Sequence, residues 1–324
     1  MREITFAEAL GEAILEEMEK DPTIFTYGED IAKQGGIFGQ YKSLLGKFKD
    51  RVIDTPISEE VIYGSALGAA LAGARPVVEF HFADFIFTGI TSIVNQIMKF
   101  KHMTGGQGKI RVVLRGPDGI AQSAAAQHSE SIETIFMYIP GIKVVVPSTP
   151  YDMKGLLKTA LRSDDPVIVF EHKMLYKIKG PVPEEEYLIP FGKADIKREG
   201  KDVTVVTTSR MVHESLKASE ELQKEGISVE VIDLRTLIPW DKEVVLKSVK
   251  KTHHLVIAHE TWKRAGWGAE IAATVQEEAF DYLDAPILRV GAKNVHISFS
   301  PPLQNYIVPD YKSVIDTVRR VLNV

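Results

Sequence analysis

The sequence contains no cysteine. Disulfides, thiolate nucleophiles, zinc–thiolate sites and cysteine-held iron–sulfur clusters are therefore excluded. It also lacks any run that reaches the ~18 uninterrupted apolar residues of a membrane span. The longest candidate, 61–80, is broken by Gly64, Gly68, Gly73, Arg75 and Pro76. It lacks a large excess of either charge sign: the formal net charge is −5 over 324 residues. Nothing in that balance calls for nucleic acid or an anionic membrane as partner. No apolar core follows the basic residue near the N-terminus, so a signal peptide is not expected and the chain is read as cytoplasmic. A phosphate-binding P-loop is missing too. Thr104-Gly-Gly-Gln-Gly-Lys109 has a superficial likeness, but its glycine spacing is wrong and Ile110 stands where a hydroxyl residue is needed. There is no internal repeat and no low-complexity tract.

What is present is ordinary for a soluble globular protein, 44% apolar and 26% charged. The length exceeds that of a single core, which predicts two domains. Residues 5–20 have helical spacing, with Phe6, Ala9, Leu10, Ala13, Ile14 and Met18 on one face and Glu and Lys on the other. Thr5 and Glu8 form a capping-box pattern. Short apolar strands are expected at 23–27, 52–53, 75–80, 110–114, 142–146 and 167–170, alternating with helices that include 150–161 and one running to about His102. Arg115-Gly-Pro-Asp-Gly119 reads as a sharp turn. Apolar strands alternating with helices indicate a parallel sheet covered on both faces, the doubly wound α/β pattern. A proline- and charge-rich stretch around 179–190 marks the inter-domain connection. The same rhythm then resumes, with strands at 203–206, 228–232, 255–258 and 287–290 and helices at 211–225, 241–251, 268–280 and 311–322. The expected division is a first α/β domain at 1–180, a linker at 181–199 and a second α/β domain at 200–324.

The chain is organised around Asp54-Thr-Pro-Ile-Ser-Glu-Glu60 and the helix that follows it. Pro56 fixes a turn and biases Thr55 away from helix. Ser58 is placed to cap, and Glu59 and Glu60 occupy the first helical turn, where negative charge is favourable. Acidic first turns are common. This one opens a helix with no charged side chain over 61–74, which predicts burial nearly all round. A carboxylate at the mouth of a buried helix can have a raised pKa and a chemical task. Gly64 and Gly68, flanked by Ala and Ser, also allow close approach of a second helix, and a subunit interface is the expected use.

Three further stretches could carry chemistry. His81-Phe-Ala-Asp-Phe85 closes a strand at the carboxyl end, where α/β sheets place ligands. Its phenylalanines could equally be core. His128 lies in a small-residue loop and could be a general acid/base, a charge stabiliser or a solvated side chain. His253-His254 and His259-Glu260 flank a strand without zinc-helix spacing and read as structural.

The chain as a whole resembles a known family. The matching pieces are Gly28-Glu29-Asp30, Asp54-Thr-Pro-Ile-Ser-Glu59, Arg115-Gly-Pro-x-Gly119, Ala126-Gln-His-Ser129, Pro140-Gly-Ile-Lys-Val-Val145, Ser148-Thr-Pro-Tyr-Asp-Met-Lys-Gly-Leu156, Asp165-Pro-Val and Val231-Ile-Asp-Leu-Arg-Thr236. Their order and spacing resemble the β subunit of the thiamine-diphosphate-dependent decarboxylase component of 2-oxoacid dehydrogenase complexes, of the pyruvate, branched-chain 2-oxoacid and acetoin types. The resemblance implies a transketolase-like pyrimidine-binding domain followed by a transketolase C-terminal-type domain. It implies that Glu59 hydrogen-bonds the cofactor's aminopyrimidine and promotes loss of the thiazolium proton. Phe85 would pack on the pyrimidine, and Glu29, also counted with the cofactor site, would belong to an acidic path between paired active sites. His128 would face the reacting centre. Relatives hold a potassium ion through main-chain carbonyls that correspond to Val112, Ala160, Leu161, Ser163 and Asp165.

The family's Mg²⁺ is held by a Gly-Asp-Gly sequence, and none occurs here. The resemblance then implies that the diphosphate half of the cofactor, with its Mg²⁺, belongs to a separate α subunit. An α2β2 heterotetramer docked on a lipoyl acyltransferase core is expected. The implied reaction is decarboxylation of a 2-oxoacid followed by acylation of a lipoyl group. An acetoin-cleaving enzyme is the alternative, since Ala126-Gln-His-Ser and Glu171-His-Lys-Met-Leu-Tyr176 suit that branch, while Ile238-Pro-Trp-Asp241 and Val275-Gln-Glu-Glu278 lean to the branched-chain one. A self-contained transketolase-like enzyme and a non-catalytic scaffold subunit complete the alternatives.

Overall fold

The computed structural model describes residues 1–121 and 123–324. Two compact units divide the chain, one made of 1–118 and 135–191, the other of 119–134 and 192–324.

The first unit begins with a short strand, β1 (Arg2–Thr5), and helix α1 (Phe6–Lys20). The capping box forms as expected: Thr5 Oγ1 accepts the Glu8 amide, and the Glu8 carboxylate accepts the Thr5 amide at 2.7 Å. The main strands are β2 (Ile24–Gly28), β3 (Val52–Asp54), β4 (Arg75–Glu79), β5 (Val113–Asp118), β6 (Lys143–Val145) and β7 (Val167–His172). Within this unit they pair in parallel in the order β6-β7-β5-β4-β2-β3. A last strand, β8 (Lys179–Val182), pairs antiparallel with β1, so the chain past 180 is still part of the first fold. Short helix α2 (Lys42–Leu45), helix α3 (Glu59–Leu71) and α4 (Met98–Met103) connect the early strands. Helices α5 (Glu133–Tyr138) and α6 (Pro150–Leu161) connect the later ones. Leu10, Ile14, Val77, Met153, Leu157 and Val169 belong to one core between sheet and helices.

Three differences from the sequence reading have physical causes. The polar side of α1 is not all solvated: Lys154 and Lys158 of α6 are fully buried and reach Glu16 at 2.6 Å each, so the two helices pack through ion pairs as well as apolar contacts. The expected turn at Arg115-Gly-Pro is strand, because β5 stays in register with β7 as far as Asp118 opposite His172. Gly116 permits it; a Cβ there would lie 2.1 Å from the Phe80 carbonyl oxygen. The helix expected to run to His102 is three pieces: a 3-10 segment (Ala83–Gly89), a π-helical turn (Ser92–Ile97) and α4.

The second unit holds β9 (Asp195–Arg198), β10 (Val203–Thr207), β11 (Val229–Asp233), β12 (Thr236–Ile238), β13 (Leu255–Trp262) and β14 (Leu288–Ala292). Its sheet runs β14-β13-β10-β11-β9, parallel except for the β9 edge. Helices α7 (Arg210–Lys224), α8 (Lys242–Thr252), α9 (Gly268–Ala279), α10 (Pro301–Ile307) and α11 (Tyr311–Leu322) complete it. Val205, Val231, Val256, Leu222 and Val318 share its core. Part of the expected linker is β9. The segment 119–134, expected in the first domain, groups with this second unit.

Candidate active site

Parallel strands put their carboxyl ends on one edge, and loops leaving adjacent strands meet there. In the first unit β2 lies between β4 and β3. The segments that leave these three strands carry Glu29, Glu59 and Phe85, so the fold brings all three predicted residues to one edge.

Glu29 follows the last residue of β2 and is buried. Gly28 before it has no room for a side chain, since a Cβ would sit 2.9 Å from that of Glu79. The Gly28 carbonyl accepts the Thr55 amide at 2.9 Å, which ties the ends of β2 and β3 together. Asp54 holds the loop beyond Glu29 by accepting the Ala32 amide at 2.6 Å and the Lys33 amide at 3.1 Å. The turn then enters α3. Ser58 occupies the cap position, but its side chain makes no capping bond. Tyr27 of β2 anchors the helix by donating to the Ile62 carbonyl at 2.8 Å.

Glu59 is half-buried in the first turn of α3, with Tyr63 one turn on. The 3-10 segment bearing Phe85 lies against this turn at Gly89, where a Cβ would meet the Tyr63 ring at 2.5 Å and the Glu59 backbone carbon at 2.9 Å. Phe85 is half-buried and edge-on to Phe82, with ring centroids 5.9 Å apart. Glu60 is exposed and turns aside toward Ser92.

The electrostatics of this edge are unusual in two ways. Burial, with the charges of Glu59, Asp30 and Glu79, pushes Glu29 up to about 7. Tyr63 is fully buried, and its hydroxyl has no hydrogen-bond partner. Burial and then the nearby Glu59 and Glu29 carboxylates hold that hydroxyl protonated, well above its ordinary range. A buried unpaired hydroxyl near two carboxylates leaves a place for a polar partner, whether a ligand or an ordered water. A flat heterocycle with ring nitrogens and an exocyclic amine suits this set: carboxylates that accept or share a proton, a hydroxyl, and an aromatic ring to stack on. Tyr63 was not singled out from the sequence. The available signal was its position four residues after Glu59 on one helix face.

Beneath the edge lies a buried ionic cluster. Arg115 of β5 donates to both oxygens of Glu171, to Glu79, and to the hydroxyls of Tyr41 at 2.7 Å and Tyr176 at 3.2 Å. Gln40 donates to Glu79 at 3.1 Å. The cluster fixes the end of β4 next to Gly28 and supplies one of the charges that raise Glu29.

The helix expected to be buried all round is not. One face of α3 is packed through Ile62, Tyr63, Ala66, Leu67 and Ala70, whereas Val61, Gly64, Ser65, Gly68 and Leu71 are exposed. Ile53 and Ile57 continue this apolar surface, and a cavity of about 230 Å³ beside Phe25, Tyr27, Ser65 and Ala69 indents it. A larger cavity, about 660 Å³, opens beside Lys101, His102 and Lys143; of the predicted site residues only Asp165, expected at the potassium site, lines it.

His128 is half-buried and belongs to the second unit's 119–134 segment. His259 is buried in the second unit, pushed down to about 4 chiefly by burial, and His253 stands at the C-cap of α8. Of the five carbonyls expected for potassium, four already accept a bond: Val112 from the Val167 amide, Ala160 from the Ser163 amide, Leu161 from Arg75 and Asp165 from Ser163 Oγ. Lys101 and Lys143 both pair with the Asp165 carboxylate. A cation would share oxygens the fold already uses, and no chemical step is assigned to it. Among the described residues no group of three or more His, Cys, Asp or Glu side chains is arranged to hold a metal ion, and no helix is long and apolar enough to cross a membrane.

This architecture is that of thiamine-dependent enzymes of the transketolase type. Residues 2–179 match the transketolase pyrimidine-binding domain and 192–314 the transketolase C-terminal domain. A solved split-gene transketolase, described as an inactive beta4 tetramer, superimposes with a TM-score of 0.81 over 99% of this chain and 98% of its own, at 24% identity. Sequence relatives are closer. The pyruvate dehydrogenase E1 component subunit beta of Rickettsia felis is 46% identical over 98% of this chain and 98% of its own length. The acetoin:2,6-dichlorophenolindophenol oxidoreductase subunit beta of Cupriavidus necator is 44% identical over 99% and 98%. The 2-oxoisovalerate dehydrogenase subunit beta of Bacillus subtilis is 40% identical over 99% of each chain. The chain belongs to this family of dehydrogenase beta subunits.

Proposed function

We propose that this chain is the beta subunit of a thiamine-diphosphate-dependent 2-oxoacid dehydrogenase, acting on pyruvate or a branched-chain 2-oxoacid and passing the acyl group to a lipoyl acceptor. The observation that carries the reading is the edge where Glu59, the raised Glu29 and the unpartnered Tyr63 hydroxyl converge, in a domain of the pyrimidine-binding type. When bound, thiamine diphosphate supplies the nucleophilic carbon and the electron sink for decarboxylation.

The protein's part is proton handling and placement. Glu59 would hydrogen-bond the aminopyrimidine and hold a proton there. Glu29, poised near neutrality, takes or returns a proton at little cost. Phe85 would pack on the pyrimidine and help exclude water. His128 works at the reacting centre on substrate and acceptor. The diphosphate and its Mg²⁺ are held by an α subunit, since this sequence has no Gly-Asp-Gly. The exposed small-residue face of α3, continuous with the half-site, is where the α subunit packs. The assembly is an α2β2 heterotetramer docked on a lipoyl acyltransferase core, in the cytoplasm. Acetoin cleavage is a second reading, favoured by the 44% identity to the acetoin-linked subunit.

Calorimetry of thiamine diphosphate with Mg²⁺ tests the split site. Binding is expected only after the α subunit is added; tight binding to this chain alone would overturn the assignment. In the assembled enzyme Glu59→Gln should preserve assembly and lower activity by about 10²–10⁴-fold, the range of a lost acid–base group. Near-normal activity would make the chain a scaffold. Rates with pyruvate, 2-oxoisovalerate and acetoin then fix the substrate.

A further inference from the structure

Among its described residues, the segment that carries His128 has little regular structure of its own. Gly119, Ser123 and Ala125 all have positive φ, at 76°, 62° and 60°, a conformation that two of the three, having side chains, adopt only when held there. Inside the loop, the Gly119 amide bonds the Glu130 carbonyl at 3.0 Å and closes its base.

Further holding comes from elsewhere in the second unit. Before His128, the Ile120 amide donates to Glu260 Oε1 at 2.6 Å and the Ser123 amide to Gln304 Oε1 at 2.9 Å. After it, Thr261 Oγ1 donates to the Ser131 carbonyl at 2.8 Å, and the Trp267 amide donates to Thr134 Oγ1 at 3.1 Å. Glu260 is itself fixed: its second oxygen accepts from Arg210 at 2.7 Å, and Arg210 also reaches Glu214. The Ile120 side chain packs in a small core with Ala292, Ile297 and Ile307. Glu260 and Thr261 are adjacent on β13 and grip the loop on both sides of His128, from a rigid strand.

We propose that Glu260, with Thr261, is a positioning residue that sets the place of His128 for catalysis. The inference rests on the reading of His128 as a group at the reacting centre. A side chain on a loop needs such support, because functional geometry must be held to within about 0.5 Å and a misplacement of 1 Å can cost about 10²-fold in rate.

The test uses the assembled enzyme with Glu260→Ala, Glu260→Gln, Thr261→Val and His128→Ala. Amide hydrogen exchange over 119–131 reads the tether, and kcat and KM with a 2-oxoacid and a lipoyl acceptor read its use. Glu260→Ala should speed exchange in that segment at least tenfold, lower kcat by about 10–100-fold and leave KM nearly unchanged. Glu260→Gln, which keeps an acceptor for the Ile120 amide, should recover most of kcat. Adding Glu260→Ala to His128→Ala should cost nothing further, because the two act through one group. Unchanged exchange and kcat in Glu260→Ala, or losses that simply add, would overturn the proposal. If Glu260→Ala does not assemble, Thr261→Val decides by the same two readings. If His128→Ala is fully active, the reading of His128 fails, and with it the catalytic use of the tether; the exchange data still show whether the tether exists.

Discussion

Replacing Arg115 by Met tests whether the floor of the site is held by charge. Arg115, Glu79 and Glu171 are all buried, and one guanidinium serves two carboxylates. Methionine keeps much of the stem volume and removes every donor. Breaking a buried ion pair by deleting one partner typically costs ~3–5 kcal/mol. Protonation offers the carboxylates an escape. Taking up a proton at pH 7 against an unperturbed pKa of ~4.3 costs roughly 3.7 kcal/mol for each, at ~1.36 kcal/mol per pH unit. The two routes agree. With two carboxylates stranded, the loss at pH 7 is roughly 4–8 kcal/mol, comparable with the whole stability of a domain, ~5–15 kcal/mol.

The sign of the pH dependence follows. In Arg115→Met the folded-state pKa values of Glu79 and Glu171 are raised, so the missing stability is restored below the unfolded pKa and lost again as pH rises. Moving from pH 7 to pH 5 should return roughly 5 kcal/mol if both carboxyls protonate. All three tryptophans, Trp240, Trp262 and Trp267, lie in the second unit. Their fluorescence therefore follows that unit, while far-UV circular dichroism in urea also registers loss of the first. The triple variant Arg115→Met, Glu79→Gln, Glu171→Gln should return to within ~2 kcal/mol of the parent at every pH, because neutral partners carry no stranded charge. An Arg115→Met chain within ~1 kcal/mol of the parent at pH 7, or a deficit that does not shrink on acidification, refutes the reasoning.

Two other perturbations separate packing from chemistry. Gly68→Leu should fold at least as well as the parent, since a Cβ there meets nothing within 4 Å and glycine in a helix is the weaker former; sedimentation with the α subunit should nevertheless show assembly lost, and an intact complex would remove α3 from the interface. Glu133→Gln should leave stability unchanged near pH 4.5 and raise it by roughly 3 kcal/mol above pH 7, because burial, with help from Glu260, lifts the Glu133 pKa from 4.5 to about 7 and the parent loses stability as pH climbs through that window. A pH-independent difference in melting would contradict it.

Local chemistry was legible in the sequence, and distant pairing was not. The capping box at Thr5 and Glu8 and the start of α3 at Glu59 follow from neighbours within four residues, and the structure reproduces them. Arg115-Gly-Pro read as a turn because a charge, a glycine and a proline in a row ordinarily mean solvent. The arginine is buried only because Glu79 and Glu171, 36 and 56 residues away, are waiting for it. The contacts of 119–134 were equally out of reach: the segment lies inside the 2–179 pyrimidine-binding match, yet its ties run to Glu260, Thr261 and Gln304, 130–181 residues along the chain. Lys154 and Lys158 were invisible as buried residues for the same reason.

The error about α3 is of another kind, and it bears on the site. An uncharged helix was read as buried all round, yet Val61 stays 63% exposed and Leu71 47%. Apolar surface on this scale ordinarily marks an interaction site. Tyr63, on the packed face of the same helix, keeps an unpaired hydroxyl beside Glu59 and Glu29. An uncovered apolar face and an unsatisfied polar pocket on one helix have a common explanation if partner and cofactor arrive together. Covering the edge would remove water from Glu29, and burial is already the largest cause of its rise. Assembly would then raise it further, so a proton is held where the cofactor needs one only when the site is closed. On the proposed split site, proton handling would be coupled to complex formation and the lone chain would be inactive.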